Sequence, residues 1–158
     1  MSDSSASFAG IVEDLYRRDG ARLWRSLLGY TADRDLATDA VAEAFAQVLR
    51  RGADVRDPQA WVWRTAFKIA SGELKRRGGL RAIEEGELPV LDSQVPGELF
   101  ELLQRLPARQ RAVVLLRFYA GYSTSEVAAI SGCTPGTVRM HLSQARRRLH
   151  RLLEEDDA

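Results

Sequence analysis

The chain contains 158 residues, of which 45% are hydrophobic and 28% are charged, and its formal net charge is +1. This composition is ordinary for a globular protein, and it favours neither a disordered chain nor a membrane span. The first residues lack the basic and apolar segments of a signal peptide, so we expect a cytoplasmic protein without membrane insertion. The single cysteine, Cys133, cannot form an internal disulfide and has no neighbours at metal-ligand spacing, so we expect no metal and no cofactor.

Two helices are predicted at the start of the chain. Apolar residues recur at helical steps over residues 8–28, with a bend or short break expected near Gly20. A second helix is predicted to begin at a cap formed by Asp33 or Asp35, to carry a wide apolar face and to end near Gly52.

A third helix is predicted to begin at Asp57-Pro58, a cap followed by proline at the first helical position, and to stop at Gly78-Gly79. Trp61 and Trp63 are two residues apart on it and must point in different directions. A place in the core is the simpler interpretation of each ring, but an aromatic ring exposed beside a basic face can instead stack on an unpaired base. Such a basic face is formed by residues at helical spacing: Arg64, Lys68, Ser71 and Lys75, extended by Arg76 and Arg77.

Residues 78–97 differ in character from the helices on either side, because their periodicity is weak and their charge is mostly acidic. We therefore predict a linker. The helical pattern returns at Glu98, and Pro107 is predicted to open another helix that continues through Tyr119 and ends at Gly121. The acidic residues of the linker are Glu84, Glu85, Glu87 and Asp92, against the single basic residue Arg81.

The stretch from Ser123 onward has the pattern of a helix-turn-helix. Ser123 and Glu126 form a capping box at the start of the first helix. Gly132 can adopt the positive φ that ends a helix, and Thr134 followed by Pro135 provides the cap and first residue of a second helix. The C-terminal part of the chain is therefore predicted to contain four helices.

The last helix has an apolar stripe and a basic face. Val138, Leu142, Ala145, Leu149 and Leu152 recur at steps of three and four residues and are predicted to be core. The opposite face could lie in a DNA major groove, although a solvated basic face on an ordinary helical hairpin gives the same pattern. Residues 104–151 contain nine arginines, no lysine and one acidic residue, a local net charge of +8 that favours phosphate binding. That face carries Thr137, Arg139, Met140, His141, Gln144, Arg147, Arg148 and Arg151.

No strand pattern is present, and we predict an all-α protein. Two small helical domains, residues 1–79 and 98–158, are expected to be joined by a flexible linker, residues 80–97, with a helix-turn-helix in the second domain. Catalysis is not expected, because there are only two histidines, no cysteine pair, no glycine-rich phosphate loop and no isolated pair of carboxylates in an apolar setting.

Several motifs resemble those of a bacterial RNA polymerase sigma factor of the two-domain extracytoplasmic-function type, over nearly the whole chain. In the C-terminal domain they are Leu106-Pro-Ala-Arg-Gln-Arg, Gly121-Tyr-Ser, Glu126-Val-Ala, Gly136-Thr-Val-Arg and Ala145-Arg146. In the N-terminal domain they are Ala60-Trp-Val-Trp-Arg-Thr-Ala, Glu73-Leu-Lys-Arg-Arg and the preceding Asp39, Glu43 and Phe45.

The resemblance implies three functional surfaces and their partners. The N-terminal domain is expected to dock on the clamp helices of the polymerase β′ subunit and to melt the promoter −10 element, and the C-terminal domain is expected to bind the −35 element and the β flap. An anti-sigma factor is a further possible partner. The residues expected at these surfaces are Asp39, Glu43 and Gln47 for core polymerase, Trp61, Trp63, Arg64, Lys68 and Lys75 for the −10 element, and Thr137, Arg139, Met140, His141, Gln144, Arg147 and Arg148 for the −35 element.

Two other functions are compatible with the pattern. A stand-alone dimeric helix-turn-helix regulator and a sigma-like adaptor that binds polymerase without DNA are the alternatives. The basic face beside the tryptophans and the acidic linker favour the sigma factor, since a regulator needs neither.

Six positions differ from the residues that many family members carry: Ala42, Lys68, Gly72, Met140, His141 and Gln144.

Overall fold

The structure is a computed structural model that describes residues 2–78 and 97–157. Within these ranges every regular element is helical and no strand is present. No helix among them is long and apolar enough to span a bilayer. The helices are α1 (Ser2–Thr31), α2 (Arg34–Arg51), α3 (Pro58–Arg76), α4 (Gly97–Gln104), α5 (Ala108–Val114), α6 (Thr124–Ser131) and α7 (Pro135–Asp157), with a short 3₁₀ turn at Gly52–Asp54 and a π-helical segment at Leu115–Tyr119.

Helix α1 passes through Gly20 without interruption, so the predicted break is wrong. A glycine inside a helix costs about 1 kcal/mol relative to alanine. That cost is outweighed by packing, because Leu15 and Leu23, on either side of Gly20, are both buried. The ring of Tyr16 covers the glycine and would lie 3.3 Å from an added Cβ.

The predicted caps are present at the starts of α2 and α3. Asp33, rather than Asp35, accepts a hydrogen bond from the amide of Leu36 at 3.0 Å. Asp57 accepts one from the amide of Ala60 at 3.1 Å. Each carboxylate satisfies an amide that the first turn of a helix leaves unpaired, and this fixes where the helix begins.

The helix-turn-helix is formed as predicted. Ser123 and Glu126 make both hydrogen bonds of the capping box, at 3.2 and 2.9 Å. Gly132 adopts a left-handed conformation with φ 71° and ψ 34°, and the Thr134 hydroxyl accepts a hydrogen bond from the amide of Thr137 at 3.1 Å. The helix predicted after Pro107 does extend to Tyr119, although its last five residues form the π-helical segment.

The acidic linker predicted for residues 80–97 lies outside the described residues except for Gly97, where α4 begins. On either side of this gap, α1–α3, called here the N-terminal helices, and α4–α7, the C-terminal helices, pack against each other and share one continuous hydrophobic core. The main contact is between α3 and α6, and α1 also contacts α4, α5 and the π-helical segment.

The C-terminal end of α1 is held by side chains from the C-terminal helices. The buried guanidinium of Arg111 donates from Nε to the carbonyl of Tyr30 at 2.7 Å and from Nη1 to the carbonyl of Leu106 at 2.9 Å. Gln104 donates to the carbonyl of Gly29 at 2.6 Å. The last carbonyls of a helix have no partner within it, so these bonds satisfy groups that would otherwise be buried unpaired.

Candidate nucleic-acid interface

Helix α7 has the two faces that its sequence predicts. Val138 and Ala145 are buried, and Leu142 and Leu149 are half-buried against the core. These contacts join α7 to α5 and α6, so the orientation of α7 is set by its apolar stripe. The basic face is therefore directed away from the core.

The seven residues predicted to contact the −35 element lie on the outer and flanking faces of α7. Arg139, Met140, Arg147 and Arg148 are exposed, and Thr137, His141 and Gln144 are half-buried. Met140 is 48% exposed, so its apolar side chain is accessible to a partner. All seven thus lie outside the fully buried stripe of α7.

Two of the half-buried side chains are positioned by neighbouring residues. The Thr137 hydroxyl lies 3.0 Å from that of Thr134. Gln144 accepts a long hydrogen bond from Gln110 of α5, at 3.4 Å. The Nδ1 atom of His141 is buried and has no hydrogen-bond partner among the described residues.

The arginines of α7 are not neutralised by any residue that the structure describes. Arg139, Arg146, Arg147, Arg148 and Arg151 are all exposed, and none makes an ion pair within the part of the chain that the structure describes. Unpaired arginines at this density repel one another unless an anion is present, so they favour binding to a phosphate backbone. Next to them is an open groove of about 750 Å³ lined by Gln110, Gln144, Arg147, Arg148, His150, Arg151 and Glu154.

The basic face of α3 is shorter than the sequence suggested. Arg64, Lys68 and Lys75 are exposed and make no ion pair with any described residue. Arg76 and Arg77, which were expected to extend this face, are instead paired with Glu73 at 2.6 and 3.1 Å, and Arg77 also pairs with Asp33 at 2.7 Å. Three cations of the predicted face therefore remain available to an anionic partner.

The two tryptophans of α3 differ in burial. Trp61 is half-buried at the edge of the core. Trp63 is only 1% exposed, and its indole Nε1 donates a hydrogen bond to the carboxylate of Asp19. A ring this buried cannot stack on a base, so in this packing of the helices Trp63 is not available to the −10 element, where it was expected.

Trp63 belongs to a polar cluster that joins the two sets of helices, called here the Asp19 cluster: Asp19, Arg22, Gln59, Trp63 and Tyr122. Asp19 is 4% exposed, and Arg22 pairs with it at 2.6 Å. The Tyr122 hydroxyl accepts hydrogen bonds from Gln59 at 3.0 Å and from Arg22 at 3.3 Å. Burial, as the largest influence, raises the pKa of the Tyr122 hydroxyl to about 12, so the hydroxyl stays protonated.

The sequence analysis missed this cluster, although a signal for it was present. Asp19 lies four residues from both Leu15 and Leu23, so it falls on the buried stripe of α1. A carboxylate at such a position must find donors, because an unpaired buried charge is costly. The identity of those donors, on α3 as well as α1, could not be deduced from periodicity.

The residues predicted to bind core polymerase share one face of α2. Asp39 and Glu43 are exposed and Gln47 is half-buried. Glu43 accepts hydrogen bonds from Gln47 at 2.9 Å and from Arg50 at 3.0 Å, and these bonds lower the pKa of its carboxyl group. Glu43 is thus ionised at neutral pH, and its side chain is directed toward Gln47 and Arg50.

Over the residues that the structure describes, these features are those of a helical protein with a helix-turn-helix and a second basic face, an arrangement that suits binding to DNA. In agreement, the family model for region 4 of sigma-70 matches residues 97–149. The chain is 28% identical to the ECF RNA polymerase sigma factor SigL of Mycobacterium tuberculosis, over 98% of this chain and 96% of the relative. It is 30% identical to the ECF RNA polymerase sigma factor SigM of the same organism, over 89% of this chain and 76% of the relative.

Solved structures show the same fold. The structure of CnrH in complex with the cytosolic domain of CnrY has a TM-score of 0.74 and 23% identity, over 98% of this chain and 95% of CnrH. The sigma factor RpoE in complex with the anti-sigma factor NepR from Bartonella quintana has a TM-score of 0.65 and 25% identity, over 90% of this chain and 98% of RpoE.

The chain belongs to the family of extracytoplasmic-function sigma factors, which direct RNA polymerase to specific promoters. The predicted fold class and family are confirmed. A stand-alone dimeric regulator is not favoured, because the sigma-factor relatives match nearly the whole chain and not the helix-turn-helix alone.

Proposed function

We propose that α7 binds the −35 element and that its exposed residues have two roles. Arg139, Met140, His141 and Gln144 contact base edges in the major groove, and Thr137, Arg147 and Arg148 contact phosphates. The observation that carries this proposal is the set of exposed arginines on α7, outside its buried stripe, that make no ion pair with any described residue. Met140 has no hydrogen-bond donor, so its contribution is an apolar contact with a thymine methyl group.

The N-terminal helices have the other two roles. Arg64, Lys68 and Lys75 contact phosphates of the −10 element, and the half-buried Trp61 lies beside them. Asp39, Glu43 and Gln47 bind the clamp helices of the polymerase β′ subunit. Support comes from the exposure of the charged side chains, Asp39, Glu43, Arg64, Lys68 and Lys75, and from the absence of competing ion pairs on the three cations in the described structure.

These roles define the proposed organisation of the chain. Residues 1–79 form the domain for core polymerase and the −10 element, residues 80–97 form the acidic linker, and residues 98–158 form the domain for the −35 element and the β flap. The protein acts in the cytoplasm as an initiation factor and not as an enzyme. An anti-sigma factor is a further partner, by analogy with RpoE, whose structure was solved with one.

Run-off transcription with purified core polymerase and a promoter library randomised at −35 tests the role of α7. His141→Ala is expected to relax or change the base preferred at one position, which corresponds to about 1–3 kcal/mol of discrimination. Arg148→Ala is expected to leave the preferred sequence unchanged, to weaken all sequences alike and to lower the salt slope by about one.

Met140→Ala provides a separate check with a matched substrate. Replacing the contacted thymine by uracil removes one methyl group, so it should weaken wild type and leave Met140→Ala unaffected. The assignment would be withdrawn if wild type and His141→Ala selected the same −35 sequence and if uracil affected wild type and Met140→Ala equally.

A further inference from the structure

One side chain of the proposed −35 surface is held by a residue of a different helix. Gln110 of α5 donates from Nε2 to the Oε1 atom of Gln144 on α7, at 3.4 Å. The bond is long, but neither side chain makes any other hydrogen bond within the described residues. Both side chains also line the open groove beside the arginines of α7. The Gln144 amide therefore has one end on Gln110 and lies at a surface that DNA can reach.

The Gln110 amide has a favoured orientation in this contact. Its Oε1 atom is buried and has no partner among the described residues. Reversing the amide would place the NH2 group at that buried position and leave two N–H donors unpaired in place of one carbonyl oxygen. A buried donor without a partner is rarer than a buried carbonyl oxygen without one. Nε2 is accordingly the Gln110 atom that is directed at Gln144.

Helix α5 is held firmly at this point of the chain. Arg111, the next residue, is buried and bonds the carbonyls of Tyr30 and Leu106, and α5 also packs against α7. A side chain carried on a well-packed helix positions its partner more precisely than a side chain on a loop. Gln110 is thus a fixed point against which the Gln144 amide is oriented.

This orientation limits which base Gln144 can read. A free glutamine amide offers a donor and an acceptor together, which matches the N6 and N7 atoms of adenine. With its Oε1 atom occupied by Gln110, the Gln144 amide offers its N–H donors to the groove. Donors match the O6 and N7 acceptors of guanine and the O4 acceptor of thymine, whereas cytosine presents only its N4 donor.

We propose that Gln110 is a positioning residue for −35 recognition: by bonding Gln144 Oε1 it directs the Gln144 NH2 group at the DNA, so that the protein selects a keto base, guanine or thymine, where Gln144 reads. This inference rests on the proposed function, in which Gln144 contacts a base edge. Specificity at that position is then set in part by a residue that lies outside the recognition helix and touches no base.

Two full-length variants of Gln110 test the direction of this hydrogen bond. In Gln110→Glu the side chain keeps its length but its carboxylate only accepts, so the Gln144 amide has to turn and donate Nε2 to it. Gln144 Oε1 then faces the DNA and selects an amino base, cytosine or adenine. Gln110→Met also keeps the length but cannot bond the amide, so Gln144 is free to take either orientation.

Selection from a promoter library randomised at −35, by core polymerase loaded with each variant, gives the preferred base at every position. The position that Gln144 reads is the one whose preference Gln144→Ala abolishes. There, wild type should favour the keto base by about tenfold, Gln110→Glu should reverse this preference, and Gln110→Met should discriminate less than wild type. Every base pair has one keto and one amino base, so the reversal is diagnostic whichever strand is read.

Two controls separate this effect from changes in charge. Arg109→Gln, at the adjacent exposed position, lowers the net charge by one, as Gln110→Glu does. It should weaken all sequences alike without changing the preferred base. In the Gln144→Ala background, Gln110→Glu should no longer change any preference, because the amide on which it acts is absent.

The proposal is overturned if folded Gln110→Glu keeps the wild-type preference at the position that Gln144→Ala affects, or if its effect persists in the Gln144→Ala background. Helical content from circular dichroism shows whether each variant is folded, and if Gln110→Glu is not, unchanged discrimination by Gln110→Met overturns the proposal instead. Unchanged preference at every position in Gln144→Ala would overturn the proposed base contact of Gln144 together with this inference.

Discussion

Replacing Arg111 by alanine should destabilise the protein strongly, although the residue is not among those proposed to bind DNA or polymerase. Its guanidinium is buried and makes hydrogen bonds of 2.7 and 2.9 Å to the carbonyls of Tyr30 and Leu106. It also lies 5.5 Å from the centre of the Tyr30 ring. Burial lowers the pKa of this guanidinium, and no described carboxylate pairs with it to oppose that effect. The arginine nevertheless remains protonated at neutral pH.

The expected loss of stability follows from these two hydrogen bonds. A bond from a charged donor contributes about 1.5–3 kcal/mol, and removing the donor leaves two buried carbonyls unpaired. The alanine variant no longer has to remove a guanidinium from water on folding, and this gain offsets part of the loss. The net destabilisation is therefore expected to be about 3 kcal/mol. That is a large share of the roughly 5–15 kcal/mol by which a domain is stable.

Urea denaturation followed by circular dichroism measures this effect. With a slope of about 2 kcal/mol per molar urea, the midpoint for Arg111→Ala should fall by roughly 1.5 M. Arg109→Ala is the control, because Arg109 is exposed two residues away, and a surface substitution of this kind is usually within about 0.5 kcal/mol of wild type. Equal midpoints for the two variants would show that the carbonyl contacts of Arg111 do not stabilise the fold.

The remaining predictions concern α3 and the cap of α2. Lys68→Ala and Lys75→Ala should impair transcription from double-stranded promoters, whereas Arg76→Ala should not, since Arg76 is already paired with Glu73. Normal activity of both lysine variants on double-stranded and on pre-melted templates would refute their role. A defect that pre-melting the template rescues would assign the two lysines to strand separation. Burial tends to raise the pKa of Asp33, but hydrogen bonds from Arg77 and from the Leu36 amide outweigh it and lower the pKa. A lowered folded-state pKa stabilises the protein above about pH 4, and the stabilisation is lost as the pH falls below that value. Asp33→Asn should keep the cap but lack the charge, so its thermal stability should fall slightly below that of wild type at pH 7, and this difference should shrink as the pH falls below about 4. A difference independent of pH would contradict this assignment.

The sequence by itself determined where most helices begin and end. The caps at Asp33, Asp57 and Ser123 and the turn at Gly132 act on backbone groups of the same residue or of residues within three positions along the chain. Such interactions are complete before any distant part of the chain is in place. The helix-turn-helix, the buried stripe of α7 and the exposure of its arginines follow from the same local rules together with helical periodicity.

Tertiary structure decided the features that depend on residues far apart in the sequence. Arg77 was expected to contribute to a basic face, but it pairs with Asp33, which lies 44 positions earlier. Periodicity showed that Trp61 and Trp63 point in different directions, but only the packing of α1 and α6 determined that Trp63 is the buried one. Gly20 remains helical because core contacts outweigh its intrinsic cost. The contact between the N-terminal and C-terminal helices belongs to this class as well, because it joins the Arg22 side chain to the backbone of a residue 98 positions away, a pairing that no local pattern encodes.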